Sequence, residues 1–170
     1  MKKHTMELRV AGDREIVMTR TFDAPRALVF AAYTRPSLVQ RWLGVHNGWT
    51  MPVCEIDLRV GGRYRYVWRG PDGMEMGMGG EFTEIVPGER LAATERFDQA
   101  WYDGAAHSVV TFDEQDGQTI LTLSVQYDSA AVRDAVLKTP MEKGVAAGFN
   151  ALEGLLASGT IAELAQGEPA

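Results

Sequence analysis

Between residues 51 and 127 the chain is cut at short intervals by turn chemistry, and the pieces between the cuts alternate apolar with polar. The cuts are Val60-Gly61-Gly62, Gly70-Pro71-Asp72-Gly73, Val86-Pro87-Gly88-Glu89 and Asp116-Gly117. Glycine supplies positive φ at such places, proline pre-sets the turn, and aspartate bonds its own backbone. The spacing predicts strands over residues 52–58, 62–69, 75–86, 90–98, 107–114 and 118–127, six hairpin-linked strands that make an antiparallel meander. Residues 15–22 (EIVMTRTF) add a seventh, with Ile16, Met18 and Phe22 on one face and Thr19 and Thr21 on the other.

Helical signals flank the meander. Asp23-Ala24-Pro25 starts a helix of about ten residues through Val29, Phe30 and Tyr33, since proline is tolerated in a first turn whose amides lack partners. Pro36 restarts a short helix to about Trp42, closed by Gly44. Ser129 can cap another through Leu137. Thr139-Pro140-Met141-Glu142 reads as a capping box ahead of the longest helix. Met141, Val145, Gly148, Phe149, Leu152, Leu155 and Leu156 form a continuous apolar stripe there, stopped at Ser158-Gly159. The expected class is α+β: a curved seven-stranded sheet wrapped around one long C-terminal helix, with two short helices after the first strand. Residues 1–13 read as a polar lead-in, 14–158 as a single domain and 159–170 as a tail.

The segment 63–69 (RYRYVWR) has Tyr64, Tyr66 and Trp68 at even positions and Arg63, Arg65 and Arg69 at odd ones. In a strand these belong to opposite faces. The arginines, with Arg59, read as a solvated outer face, and the aromatics look toward the long helix. A strongly curved sheet on one helix usually leaves space between them, so the aromatic face fits either a solid core or a cavity, and the curvature is a first hint of the cavity. On the next strand Met74, Met76 and Met78 alternate and continue into Gly80 and Phe82; methionine is flexible and suits adaptable apolar sites.

No catalytic motif is present: no Gly-x-Ser-x-Gly elbow, no His-Glu-x-x-His, no phosphate loop. Gly77-Met-Gly-Gly80 lacks the setting of a nucleotide fingerprint and reads as a pliable strand segment. His4, His46 and His107 share no ligand spacing, so no metal site and no cofactor are expected. His46 lies between Trp42 and Trp49 in a loop that could cover a cavity mouth, and its near-neutral pKa suits proton transfer. Strand parity puts Glu95 with Leu91, Ala93 and Phe97. If that face looks inward, the carboxyl is in an apolar setting and its pKa rises unless a cation compensates. Arg20, in phase with Ile16, Met18 and Phe22, is one candidate partner; a bulge turning Glu95 to solvent is the competing outcome.

The formal charge of −6 on 170 residues argues against nucleic acid as partner. No run of eighteen apolar residues is present, and charged residues interrupt the N-terminal stretch, so neither a membrane span nor a secretory signal is expected. A lone cysteine, Cys54, forms no internal disulfide and is compatible with the cytoplasm. Oligomeric state is not legible.

Phe22-Asp-Ala-Pro-Arg-Ala-Leu-Val-Phe30, Gln40-Arg-Trp-Leu-Gly44, Asp57-Leu-Arg-Val-Gly-Gly62, Gly80-Glu-Phe-Thr-Glu-Ile85 with Pro87, and Met141-Glu-Lys-Gly144 with Phe149 and Leu152 occur in that order. Together, over about residues 15–157, they resemble the SRPBCC superfamily, within the single-domain proteins named after the activator of heat-shock protein 90 ATPase. The resemblance implies a helix-grip fold, as in StAR-related lipid-transfer (START-like) and pollen-allergen-like proteins. It implies a hydrophobic cavity between a seven-stranded sheet and the C-terminal helix. Val145 stands where such relatives often carry tryptophan or another large aromatic, which would enlarge that space.

The leading expectation is therefore a binding protein, more than an enzyme, for a small hydrophobic or amphipathic molecule, aromatic or lipid-like. Its expected lining is Tyr64, Tyr66, Trp68, Met76, Met78, Phe82, Glu95, Phe97, Phe112, Val145, Phe149 and Leu152. A cyclase or dehydratase using Glu95 and His46 as acid–base groups is a second expectation. A module that stimulates a chaperone ATPase through the arginine face is a third.

Overall fold

The hairpin-linked strands form where the turn chemistry puts them, and they close on the long helix. The structure is a computed structural model describing residues 4–99, 102 and 104–167. In chain order its elements are β1 (Glu7–Ala11), β2 (Glu15–Phe22), α1 (Arg26–Thr34), α2 (Pro36–Val39), β3 (Thr50–Ile56), β4 (Arg63–Arg69), β5 (Glu75–Val86), β6 (Arg90–Phe97), β7 (Ala106–Gln115), β8 (Gln118–Gln126), α3 (Ala130–Leu137), α4 (Met141–Ala157) and α5 (Thr160–Gly167). The described strands make one antiparallel sheet in the order β1-β2-β8-β7-β6-β5-β4-β3.

The sheet has eight strands where seven were expected. The extra one, β1, lies in the stretch read as a polar lead-in and pairs with β2 from Glu7 opposite Thr19 to Ala11 opposite Glu15. Its polar look fits an edge strand that keeps most of its side chains in or near solvent. The expected tail also differs: α5 buries Ile161 completely in the main core, with Leu164 packed alongside. Residues 1–3 and 168–170 of the lead-in and tail lie outside the described residues.

Two helix starts differ from the sequence reading. Thr139 does not cap α4; its hydroxyl donates backward to the Val136 carbonyl at 2.6 Å, and Pro140 is the cap residue. The second helix holds only Pro36–Val39 before loosening into turns. Ser129 does cap α3, accepting from the Val132 amide at 3.1 Å.

Curvature comes from irregular pairing. The register shifts between Thr50 and Val53 in β3, where Pro52 has no amide to donate, and between Phe82 and Glu84 in β5. The second shift inverts parity, so that both Phe82 and Ile85 pack on the inner side, opposite Ala93 and Leu91. A solid core fills one end of the grip: Phe22, Val29, Phe112, Leu121, Phe149 and Leu152 are buried together there. At about 2 kcal/mol for each large apolar side chain removed from water, this end supplies much of the stabilisation. The other end is walled by Tyr64, Tyr66, Trp68, Met78 and Phe82 and is not filled.

Candidate functional site

Strand β4 divides its side chains as alternation requires: Tyr64, Tyr66 and Trp68 are buried, whereas Arg63 and Arg69 face solvent. Each ring meets the next edge-on or tilted, with centroids 5.1 Å apart for Tyr64–Tyr66 and 5.8 Å for Tyr66–Trp68. On the outer face Arg65 clamps Asp98 through two bonds of 2.9 and 2.6 Å, Arg69 pairs with Glu75 and Arg59 with Asp57.

Behind the aromatic wall lies a cavity of about 440 Å³, adjoined by a smaller one of about 140 Å³. The larger is bounded by Trp68, Met76, Met78 and Phe97 of the sheet, by Gly44, His46 and Trp49 of the loop before β3, and by Met141, Val145 and Phe149 of α4. Tyr64, Tyr66, Met78 and Phe82 line the smaller. Glu95, Tyr33, Trp42, Leu43, Met78 and Leu123 touch both, so the two spaces share a wall. Met76 keeps 39% of its surface accessible and marks the side nearest solvent.

Two tryptophan N–H groups hold the roof. Trp42 Nε1 donates to the Ala32 carbonyl at 3.0 Å, and Trp68 Nε1 donates to the Leu43 carbonyl at 2.9 Å. Gly44 follows at φ +70°, and a Cβ there would stand 2.5 Å from Trp68 Nε1. Only glycine fits that combination of positive φ and close approach.

A local defect in the sheet positions Glu95. The Thr94 hydroxyl accepts the Glu81 amide at 2.9 Å, and the Thr94 carbonyl accepts the Tyr64 hydroxyl at 2.7 Å. Gly80 makes the approach feasible, because any side chain there would collide with the Thr94 carbonyl. Glu95 keeps its inward parity, opposite Ala106 on β7. It does not turn out to solvent. The side chain is half-buried and faces the cavities, and desolvation there pushes its carboxyl up to about 7 from an ordinary 4.5. No hydrogen bond or ion pair joins its carboxyl to any described residue, and the side chain lines both cavities.

Arg20, the expected partner, is committed elsewhere. It is fully buried, with Nη1 donating to Asn150 at 2.8 Å, Nη2 lying 2.8 Å from the Glu153 carboxylate, and its guanidinium 5.3 Å from the Phe22 ring centre. Both partners come from α4, so this pair pins the helix to β2. Of the expected lining, Phe112 and Leu152 reach neither cavity; they belong to the solid end. Met74 also points away and is exposed. The Tyr64 hydroxyl is spent on the Thr94 carbonyl.

Tyr33, Trp42, Trp49, Leu123 and Tyr127 line the cavities without having been expected there. The strand parity of Leu123, Val125 and Tyr127 was a usable signal for the inner face; Trp42 and Trp49 sit in turns and a loop, which carry no such phase, and Tyr33 lies on the short helix α1. Burial, first, raises the pKa of Tyr66 and Tyr127 well above the ordinary tyrosine value, with Cys54 and Glu95 adding to it at Tyr66 and Glu95 and Tyr102 at Tyr127. These phenols are neutral and able to donate or accept. The His46 Nδ1 is buried and unpaired. Among the described residues no group of histidine, cysteine or carboxylate side chains could hold a metal ion.

A curved antiparallel sheet gripping one long helix around an internal cavity defines a helix-grip protein of the SRPBCC class. The chain belongs to the family of Activator of Hsp90 ATPase homolog 1-like proteins, whose sequence profile matches residues 23–157. It is similar to a solved protein from Rhodobacter sphaeroides at 28% identity and TM-score 0.86, over 91% of this chain and 99% of that one. A protein from Mycobacterium smegmatis is similar at 25% identity and TM-score 0.80, over 92% and 99%. An HSP90 activator from Plasmodium falciparum shares the fold at 23% identity and TM-score 0.52, over 66% of this chain and 72% of that one. Among curated proteins none matches.

Proposed function

We propose that the protein binds a small apolar or amphipathic molecule, with an aromatic or lipid-like body, between the sheet and α4. The observation that carries this reading is the cavity of about 440 Å³, walled by aromatic and methionine side chains with a few inward polar groups. That is the usual composition of a small-molecule site: apolar surface supplies affinity and sparse polar atoms fix orientation. Trp68, Met76, Met78, Phe97, Val145 and Phe149 are the apolar contacts in this reading, and Tyr64, Tyr66 and Phe82 back them from the smaller space. Native mass spectrometry of gently purified protein, with a thermal-shift screen of aromatic and lipid-like compounds, tests it. A co-purified or stabilising ligand supports the reading; an empty protein that no compound stabilises overturns it.

The inward Glu95, with a carboxyl near its midpoint at neutral pH, favours acid–base chemistry of the cyclase or dehydratase kind as a second reading. Glu95 and His46 line the same cavity and would divide the two roles. Loss of turnover of a polyketide-like substrate in Glu95→Gln, with the fold intact, is its signature.

The family description supports a further partner, a chaperone ATPase met through the outer face of the sheet. The paired state of Arg59, Arg65 and Arg69 means an acidic partner must displace existing carboxylates. Reversing the charges of Arg65 and Arg69 together would remove any ATPase stimulation the protein exerts. In all of these readings the protein works in the cytoplasm, where its lone cysteine stays reduced; no helix of the described residues is long and apolar enough to cross a membrane.

A further inference from the structure

Glu95 is the sole carboxylate among the described residues that line the two cavities, and no lysine or arginine lines either one. The cation best placed by strand parity, Arg20, is held by Glu153 and Asn150. Glu95 is half-buried, and a carboxylate drawn partly out of water with no cation beside it is disfavoured; proteins ordinarily supply the missing cation themselves. Here the fold supplies everything around the charge except that cation.

The remaining walls suit a cation as well. Trp42, Trp49, Trp68, Tyr33, Tyr127 and Phe97 present rings to the larger cavity, and aromatic faces attract positive charge, most strongly when water is excluded. The titratable groups facing Glu95 are Tyr64 and Tyr66 of β4, with Tyr102 and Tyr127 from the segments after β6 and β8. Tyr33 of α1 and His46 of the roof loop share the same spaces, and α4 brings only uncharged side chains to them. The tyrosines are neutral, and the unpaired His46 Nδ1 can accept a hydrogen bond when the ring's proton sits on Nε2.

From this arrangement we infer that the cavity selects an organic cation, a protonated amine on an aromatic or aliphatic body, with the Glu95 carboxylate as its counter-charge. The inference rests on the cavity being a binding site, and it narrows that site's ligand class. Fatty acids and other anionic amphiphiles are disfavoured, because their carboxylates would meet Glu95 with no cation between. Since Glu95 is near its midpoint at neutral pH, binding of a cation draws it into the ionised form and expels its proton.

The test is calorimetric titration with three compounds of matched shape: naphthylethylamine, naphthylethanol and naphthylacetate. Near pH 7.5 the amine is expected to bind at least about ten-fold more tightly than the alcohol, with the acid weakest. Near pH 6, paired buffers of different ionisation enthalpy should reveal close to one proton released per amine bound. In Glu95→Gln the preference for amine over alcohol should fall to within about two-fold. Equal or tighter binding of the alcohol, or a preference that survives in Glu95→Gln, overturns the charge assignment and leaves the cavity reading standing. If none of the three binds, both fail. The comparison in the unmodified protein decides the matter even if the variant does not fold.

Discussion

Trp68 donates its indole N–H to the carbonyl of Leu43 across 2.9 Å, so the strand that walls the cavity also holds the loop that roofs it. Shape at this end of the molecule depends on that bond and on the glycine beside it.

Trp68→Phe keeps an aromatic ring but removes the N–H and part of the indole's volume. It should cost about 2–4 kcal/mol, since the Leu43 carbonyl loses its donor and a buried ring shrinks. Gly44→Ala should cost about 1–3 kcal/mol, because alanine must adopt φ +70° against the indole. Urea unfolding measures both. Equal stability of Gly44→Ala and the parent would refute this account of the roof.

Glu153→Gln leaves Arg20 buried with Asn150 as its remaining polar partner. Loss of about 1–3 kcal/mol is expected, less than for a fully buried pair because the Glu153 side chain is 30% exposed. Replacing both residues together, Arg20→Met with Glu153→Leu, should recover most of the loss. A double-mutant cycle built from Arg20→Met, Glu153→Leu and the two together reads the coupling, and additive losses would show that the pair does not act as one unit.

Glu95 makes the stability of the protein depend on pH in a predictable sense. Its folded-state value, about 7, lies above the unfolded 4.5, so the folded state holds the proton more tightly. Stability is therefore greatest below about pH 4.5 as far as this group is concerned, falls as pH rises toward 7, and then levels off. Glu95→Gln removes the penalty. At about pH 8 the variant should be more stable than the parent by up to ~3 kcal/mol, and near pH 4 the two should agree. Thermal melts across that range check the sign; a variant less stable at high pH would mean that Glu95 has an ionic partner after all.

Val145→Trp places an indole in the larger cavity from α4, where the flanking Gly144 and Gly148 leave room. Ligand affinity should fall by at least about ten-fold while stability changes by less than about 1.5 kcal/mol, because the new side chain occupies existing space. Calorimetry with a bound compound, alongside unfolding, separates the two effects. Undiminished binding would locate the ligand elsewhere.

Much of this architecture is legible in the chain. Turn residues delimited six strands, a period of two divided RYRYVWR into a wet and a dry face, and a stripe at three- and four-residue spacing marked α4. The misses share a cause. Strand β1 is an edge whose exposed side chains carry little apolar signal, and α5 acquires its meaning only when Ile161 meets the core. Thr139 matched a capping pattern, but its hydroxyl found the closer Val136 carbonyl.

For the site, parity sorted side chains by face, and Trp68, Met78, Phe97 and Glu95 line the larger cavity; for Glu95 it left a turn to solvent open. It could not say where along the inner face the sheet stands off from the helix. Phe112 and Leu152 are inward too, yet they lie where packing is solid, whereas Tyr33 and Trp42 reach the cavities from outside the meander. Periodicity is a property of one strand or helix. Curvature arises from bulges and from the pairing of different elements, so only the tertiary structure decided that a cavity exists, that Arg20 serves α4, and that Glu95 faces it without a cation.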